Sequence, residues 1–151
     1  MEMWELEARE QIRDTIARYA YCVDGGRFDD LVALFTPDGV LEVEGEPAHR
    51  GRDAIRAFIT GTGRDLAAGT GAPRIRHHVS NVLIELEGPD RSRVRCYFLA
   101  VTDRGADHWG RYLDALVLTH DPPRFAHRRM RTHGAAPGSW AEGRRRPSSP
   151  R

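Results

Sequence analysis

Lysine is absent from this 151-residue chain, and all 23 basic residues are arginine. The absence removes Schiff-base chemistry on a lysine amine; otherwise it reads as coding bias rather than function. Cysteine is scarce as well. Cys22 and Cys96 fall inside a predicted helix and a predicted strand without metal-ligand spacing, and read as small buried hydrophobes of a reducing cytoplasm. Charge of either sign is hardly in excess, with a formal net charge of +1. That argues against nucleic acid as a partner, because such binding rests on a concentrated positive field. Long hydrophobic runs are missing too, so no membrane span is expected. The acidic start, with Glu2, Glu5 and Glu7, is unlike the basic start of a signal peptide. The chain is expected to be cytoplasmic.

What is present is one domain's worth of core: 40% of residues are apolar and 30% charged, enough at this length to bury a real interior. Residues 5–23 carry Ile12, Ile16, Tyr19, Ala20 and Val23 at three- and four-residue steps, predicting a first helix stopped by Gly25 and Gly26. Residues 28–35 predict a short second helix ended by Thr36 and Pro37, and residues 54–59 a third, with a first strand at 40–43 between them. The glycine-rich stretch 60–73 is expected to be a loop, of the length that serves as a lid.

From Arg74 the period changes to two. Strands are predicted over the run after Arg74 and over residues 92–102, 108–119 and 124–132, joined by turns at Gly88, Asp103 and Asp121. Helices first and a meander of long strands after them make an α+β domain, an antiparallel sheet wrapped over helices. The apolar set in the first long strand starts as Ile75, His77 and Val79 and continues as Val82, Ile84 and Leu86, a slip of one that predicts a β-bulge near Ser80 and Asn81. Residues 134–151, rich in arginine, proline and serine, are expected to be a disordered tail after a domain of residues 1–133.

The stretch from Arg74 to Asn81 holds the chemistry. Of two neighbours on a strand only one faces inward, and alternation with Ile75 and Val79 selects His77 over His78. If that ring meets a carboxylate, the pair is a buried acid and base. Asp24 is the candidate partner, with Tyr19 a turn or so before it. Asp24 needs a reason to stand at a helix C-terminus, where negative charge is unfavourable. His127 and His133 are expected to be exposed and without a role.

These pieces together resemble the SnoaL-like branch of the nuclear-transport-factor-2-like superfamily. The resemblance rests on Tyr19 to Asp24, on Phe28 to Gly39, on Gly51 to Ile55, on Arg76 to Asn81, on Gly110 to Asp114 and on Arg124 to Arg128, in that order. It implies a conical half-barrel, a curved sheet and three helices around a deep, mostly apolar cavity. In scytalone-dehydratase-like and dehydrochlorinase-like members a strand histidine and an aspartate closing the first helix form a dyad, here His77 and Asp24. Bile-acid-dehydratase-like members place a tyrosine where Tyr19 stands, and dehydrochlorinase-like members line the cavity with an arginine where Arg128 stands. His108, Tyr112, Phe98 and Val79 are expected beside the substrate. The Asp-Arg-Asp set of limonene-epoxide-hydrolase-like members is not found.

A histidine oriented by a buried carboxylate is a competent base near neutral pH. The resemblance therefore implies a lyase or isomerase, dehydratase-like, acting on a polyketide, steroid or aromatic-type metabolite with no metal or organic cofactor. The alternative is a non-catalytic ligand-binding module or a partner like the β subunit of ring-hydroxylating dioxygenases. Arg128 has two readings as well, a substrate ligand or an ion pair with Asp114. The outward set Tyr97, Leu99, Trp109 and Leu113 is too apolar for water alone, so a homodimer is expected.

Overall fold

A strand that alternates Ser92, Val94, Cys96, Phe98 and Ala100 against arginines and other exposed residues buries one face only, and that is what the chain does there. The computed structural model describes residues 1–70 and 74–144. Helix α1 (Met3–Gly25) is followed by α2 (Phe28–Ala33), strands β1 (Phe35–Val43) and β2 (His49–Arg50), and α3 (Arg52–Thr70). Strands β3 (Arg76–Leu86), β4 (Arg91–Thr102), β5 (Gly105–Val117) and β6 (Arg124–Ala135) then lead to α4 (Trp140–Arg144). The fold is α+β, with a curved, unclosed six-stranded sheet in the order β2-β1-β6-β5-β4-β3.

The sheet is not wholly antiparallel, as the meander had implied. β1 runs parallel to β6, because the chain leaves β1, crosses through α3 and the three strands β3 to β5, and comes back alongside it. Curvature comes from extra residues in the ladders. β3 carries the expected bulge: Ser80 faces Tyr97 and Leu83 faces Arg95, with Asn81 at φ 54, a backbone conformation asparagine tolerates better than most residues. Further irregularities went unforeseen, on β1 between Phe35 and Val40 and on β6 at Ala126 as well as the two that follow. His108 pairs with Ala100 but Ala106 with Val101, leaving Asp107 over; on β6, Trp109 pairs with Gly134 but Gly110 with Thr132, leaving His133 over.

α1 lays Ile12, Ile16 and Tyr19 against Leu31, Phe35, Leu41, Ile84 and Phe125. Gly26, left-handed at φ 67, ends the helix as its sequence promised. α2 is shorter than expected, since Leu34 caps it and Phe35 already belongs to β1.

Two expectations are corrected. Residues 60–70 continue α3 instead of forming a loop, and 71–73 lie outside the described residues. Glycine weakens a helix by about 1 kcal/mol, yet here burial decides: Phe58, Ile59, Thr62 and Leu66 face the interior, and the Phe28 ring sits where a side chain on Gly63 would be, 3.2 Å from its ideal Cβ. The second correction is the tail. Gly134 and Ala135 complete β6, with the Trp109 indole lying over Gly134, and α4 follows at Trp140. Residues 145–151 lie outside the described residues.

Candidate active site

The aspartate that closes α1 finds its reason in β3. Asp24 Oδ2 accepts the backbone N–H of His77 at 2.9 Å, and Oδ1 lies 2.6 Å from His77 Nδ1. One carboxylate thus ties the end of the helix to the first turn of the strand and orients the ring, which offsets an acid at a helix C-terminus. A carboxylate only accepts, so Nδ1 carries a proton, and in the neutral ring Nε2 is the nitrogen with the lone pair. His78 points the other way and is exposed.

His77 forms part of the wall of a cavity of about 1270 Å³ between the sheet, α1 and α3, larger than the usual small-molecule site. Tyr19, His108 and Tyr112 share that wall, Phe58 and Leu66 of α3 stand on another side, and Trp140 and Ala141 of α4 on a third. Glu44 to Pro47, the turn after β1, borders it as well. The wall is mixed, with Thr62, Thr132, Glu44 and Glu46 adding polar groups among apolar side chains such as Leu41, Val43 and Met130.

Beneath the floor lies a second charged pair. Arg128 is completely buried and bonds Asp114 twice, Nε to Oδ1 and Nη2 to Oδ2, both at 2.9 Å. Its guanidinium lies 4.2 Å from the ring centre of Tyr19, 3.9 Å from Tyr112 and 4.3 Å from Phe125. Burial works to lower the arginine's pKa, and the Asp114 charge outweighs it, so the cation is held above its usual range. Burial also raises the pKa of both Tyr19 and Tyr112, with Arg128 opposing in each. Both phenols stay protonated hydrogen-bond donors at neutral pH. The Cys96 thiol is pushed up to about 11 by burial and is inert as a nucleophile.

Of the residues expected at the site, His77, Tyr19, His108 and Tyr112 line the cavity. Asp24 stands behind His77. Arg128 gives Nε and Nη2 to Asp114 and is not among the cavity-lining residues, while its Nη1 is buried without a hydrogen-bond partner. Phe98 and Val79 do not line it either: Phe98 packs against Cys96 and Tyr112 in a second core cluster, with Val79 against it. They support the floor instead. His127, expected to be exposed, is half-buried with its Nε2 3.3 Å from Glu42. His133 is exposed.

Two participants were missed in the sequence. Asp107 is buried with its Oδ2 2.8 Å from His108 Nδ1; strict alternation would have sent it outward, and the bulge turns it in. Trp140 was assigned to the tail, although a lone tryptophan in a stretch of small residues was a signal. Among the described residues no group of three or more histidines, cysteines or acids is arranged to hold a metal ion, and no helix is long and apolar enough to cross a membrane.

The model of the SnoaL-like domain matches residues 4–129, and no curated protein matches. Among solved structures, a nuclear-transport-factor-2-like protein with a cystatin-like fold from Novosphingobium aromaticivorans is 30% identical, over 90% of this chain and 86% of that one, with a TM-score of 0.73. A candidate scytalone dehydratase from the same organism is 25% identical over 90% and 91%, TM-score 0.77. LinA, at 16% identity over 90% and 94% and a TM-score of 0.76, shares the fold.

Proposed function

Because this chain belongs to the SnoaL-like family, we propose that it is a cofactor-independent lyase or isomerase, dehydratase-like, acting on a hydrophobic, oxygenated small molecule of polyketide, steroid or aromatic type. The observation that carries the reading is the cavity-wall histidine whose Nδ1 lies 2.6 Å from the carboxylate behind it. Likeness to a candidate scytalone dehydratase adds support.

His77 Nε2 takes a proton from a carbon next to the substrate carbonyl, and the electron pair of that C–H bond moves into an enolate. Asp24 stabilises the imidazolium so formed. Tyr19 donates a hydrogen bond to the enolate oxygen; as a donor fixed in the cavity wall it acts where the charge develops. If a β-hydroxyl leaves, the enolate electrons expel it and it departs as water with the proton held by His77, completing a dehydration. If the proton returns at a different carbon, the outcome is isomerisation.

The test is exchange in deuterated buffer. A panel of polyketide-like, steroid and β-hydroxy-carbonyl compounds is followed by mass spectrometry with wild type, His77→Ala and Asp24→Asn. Deuterium uptake or water loss that disappears in both variants supports the reading. Tight binding without turnover, unchanged by either substitution, sinks it in favour of a binding module.

We also propose that two copies pair through the outer sheet face, where Tyr97, Leu99 and Trp109 are 54%, 37% and 40% exposed. A monomer by light scattering overturns that.

A further inference from the structure

A second histidine backed by a carboxylate stands at the cavity: His108 lines it, and Asp107 lies buried behind. His108 and Asp107 are adjacent in sequence, both buried, and adjacency would normally part them across the sheet. The bulge on β5 brings both inward. Asp107 then makes two kinds of contact with one carboxylate. Oδ2 lies 2.8 Å from His108 Nδ1. Oδ1 accepts the backbone N–H of Trp140 at 3.0 Å, and Oδ2 that of Ala141 at 3.3 Å, the first two residues of α4. The Asp107 carbonyl also accepts the N–H of Ala136 at 2.8 Å. Trp140 in turn stands with its ring 6.1 Å from that of His108, and both line the cavity.

We propose that Asp107 is a positioning residue that fixes the tautomer of His108 and seats α4 against the cavity with the same carboxylate, so that the two are set together. The proposal rests on the reading of this cavity as a reaction site, but its chemistry is independent of any substrate. A carboxylate cannot donate, so His108 must carry its proton on Nδ1, leaving Nε2 as an acceptor. Burial favours the neutral ring, with Asp107 opposing and the His77 ring, 6.3 Å away, adding to the preference for neutrality. His108 therefore meets a ligand as a hydrogen-bond acceptor or base, not as the neutral donor that the other tautomer would make it. Displacement of α4 takes two donors away from Asp107 and loosens the hold on His108 in the same event.

The experiment uses nitrogen-15 NMR of the histidine rings with amide hydrogen exchange on the free, full-length protein. In wild type, His108 should be protonated at Nδ1, and a ring protonated at Nε2 overturns the proposal outright. In Asp107→Ala the Nδ1–H form should fall below half, and the Trp140 and Ala141 amides should exchange at least tenfold faster. Faster exchange with an unchanged tautomer would leave Asp107 a helix cap alone and overturn it. Asp107→Asn preserves side-chain size and has a single accepting oxygen. It should keep either the Nδ1–H of His108 or the protection of Trp140, not both, and retention of both overturns it. Because no substrate enters, loss of the proposed activity reading and loss of this one are separately visible.

Discussion

His77–Asp24 and Arg128–Asp114 each set a nitrogen side chain against a carboxylate at hydrogen-bond distance, and depth separates them. Side-chain exposure is 13% and 11% for the first pair but 0% for both members of the second. The first leaves one ring nitrogen facing the cavity, so its proton can come and go. The second is enclosed by three aromatic rings, two of its guanidinium nitrogens taken by one carboxylate; nothing can reach it, and it holds the cavity floor. Burial divides them into a pair that meets the cavity, the one proposed to react, and a pair sealed beneath it.

The comparison breaks if the roles exchange. His77→Ala should lower turnover about 10²- to 10⁴-fold, the usual contribution of a general base, while leaving the urea midpoint almost unmoved; steady-state rates and denaturation on the same preparations check both. A large stability loss with residual turnover intact would reverse the assignment. Arg128→Ala strands a buried carboxylate and should cost about 3–5 kcal/mol in urea denaturation. Activity per folded molecule should drop far less than in His77→Ala. Replacing both members, Arg128→Met with Asp114→Leu, should recover much of that stability.

A third test sharpens the intermediate case. Burial lowers the pKa of His108 in the fold, with Asp107 opposing, so the unfolded chain binds the proton more readily. The stabilisation is full above the unfolded value of about 6.5 and is lost as pH falls through the lowered folded value. Urea midpoints from pH 8 to 5 for wild type and His108→Gln should diverge below about pH 6.5, wild type losing more; parallel curves would show His108 to be no less easily protonated in the fold. The smallest effect belongs to the outer face. Leu99→Glu should leave the monomer fold within about 0.5 kcal/mol, as surface changes do, but abolish the proposed pairing by light scattering.

Much of the dyad was legible because each half rests on a local rule. A helix that must stop at two glycines places Asp24, and strand alternation selects His77 over His78. The bulge at Asn81 was legible for the same reason, as a break in the phase of an apolar pattern. Arg128 was only half legible: its strand position was readable, but whether it served substrate or Asp114 depended on how far the aromatic rings closed over it. Gly63 misled because its freedom was visible and Phe28, which fills its place, was distant in sequence. Trp140 looked like tail since its partners, His108 and Asp107, lie on β5.

By itself the sequence determined the order of the main helices and strands, with β2 and α4 missed, the face most of them bury and the candidates for proton transfer, because hydrophobic period and turn residues act over a few positions. Tertiary structure alone decided the parallel return of β6 beside β1, the inward turn of Asp107, the seat of α4 and the difference in depth between the His77–Asp24 and Arg128–Asp114 pairs. Those outcomes depend on desolvation and on ladder register, which are set by residues far apart in the chain.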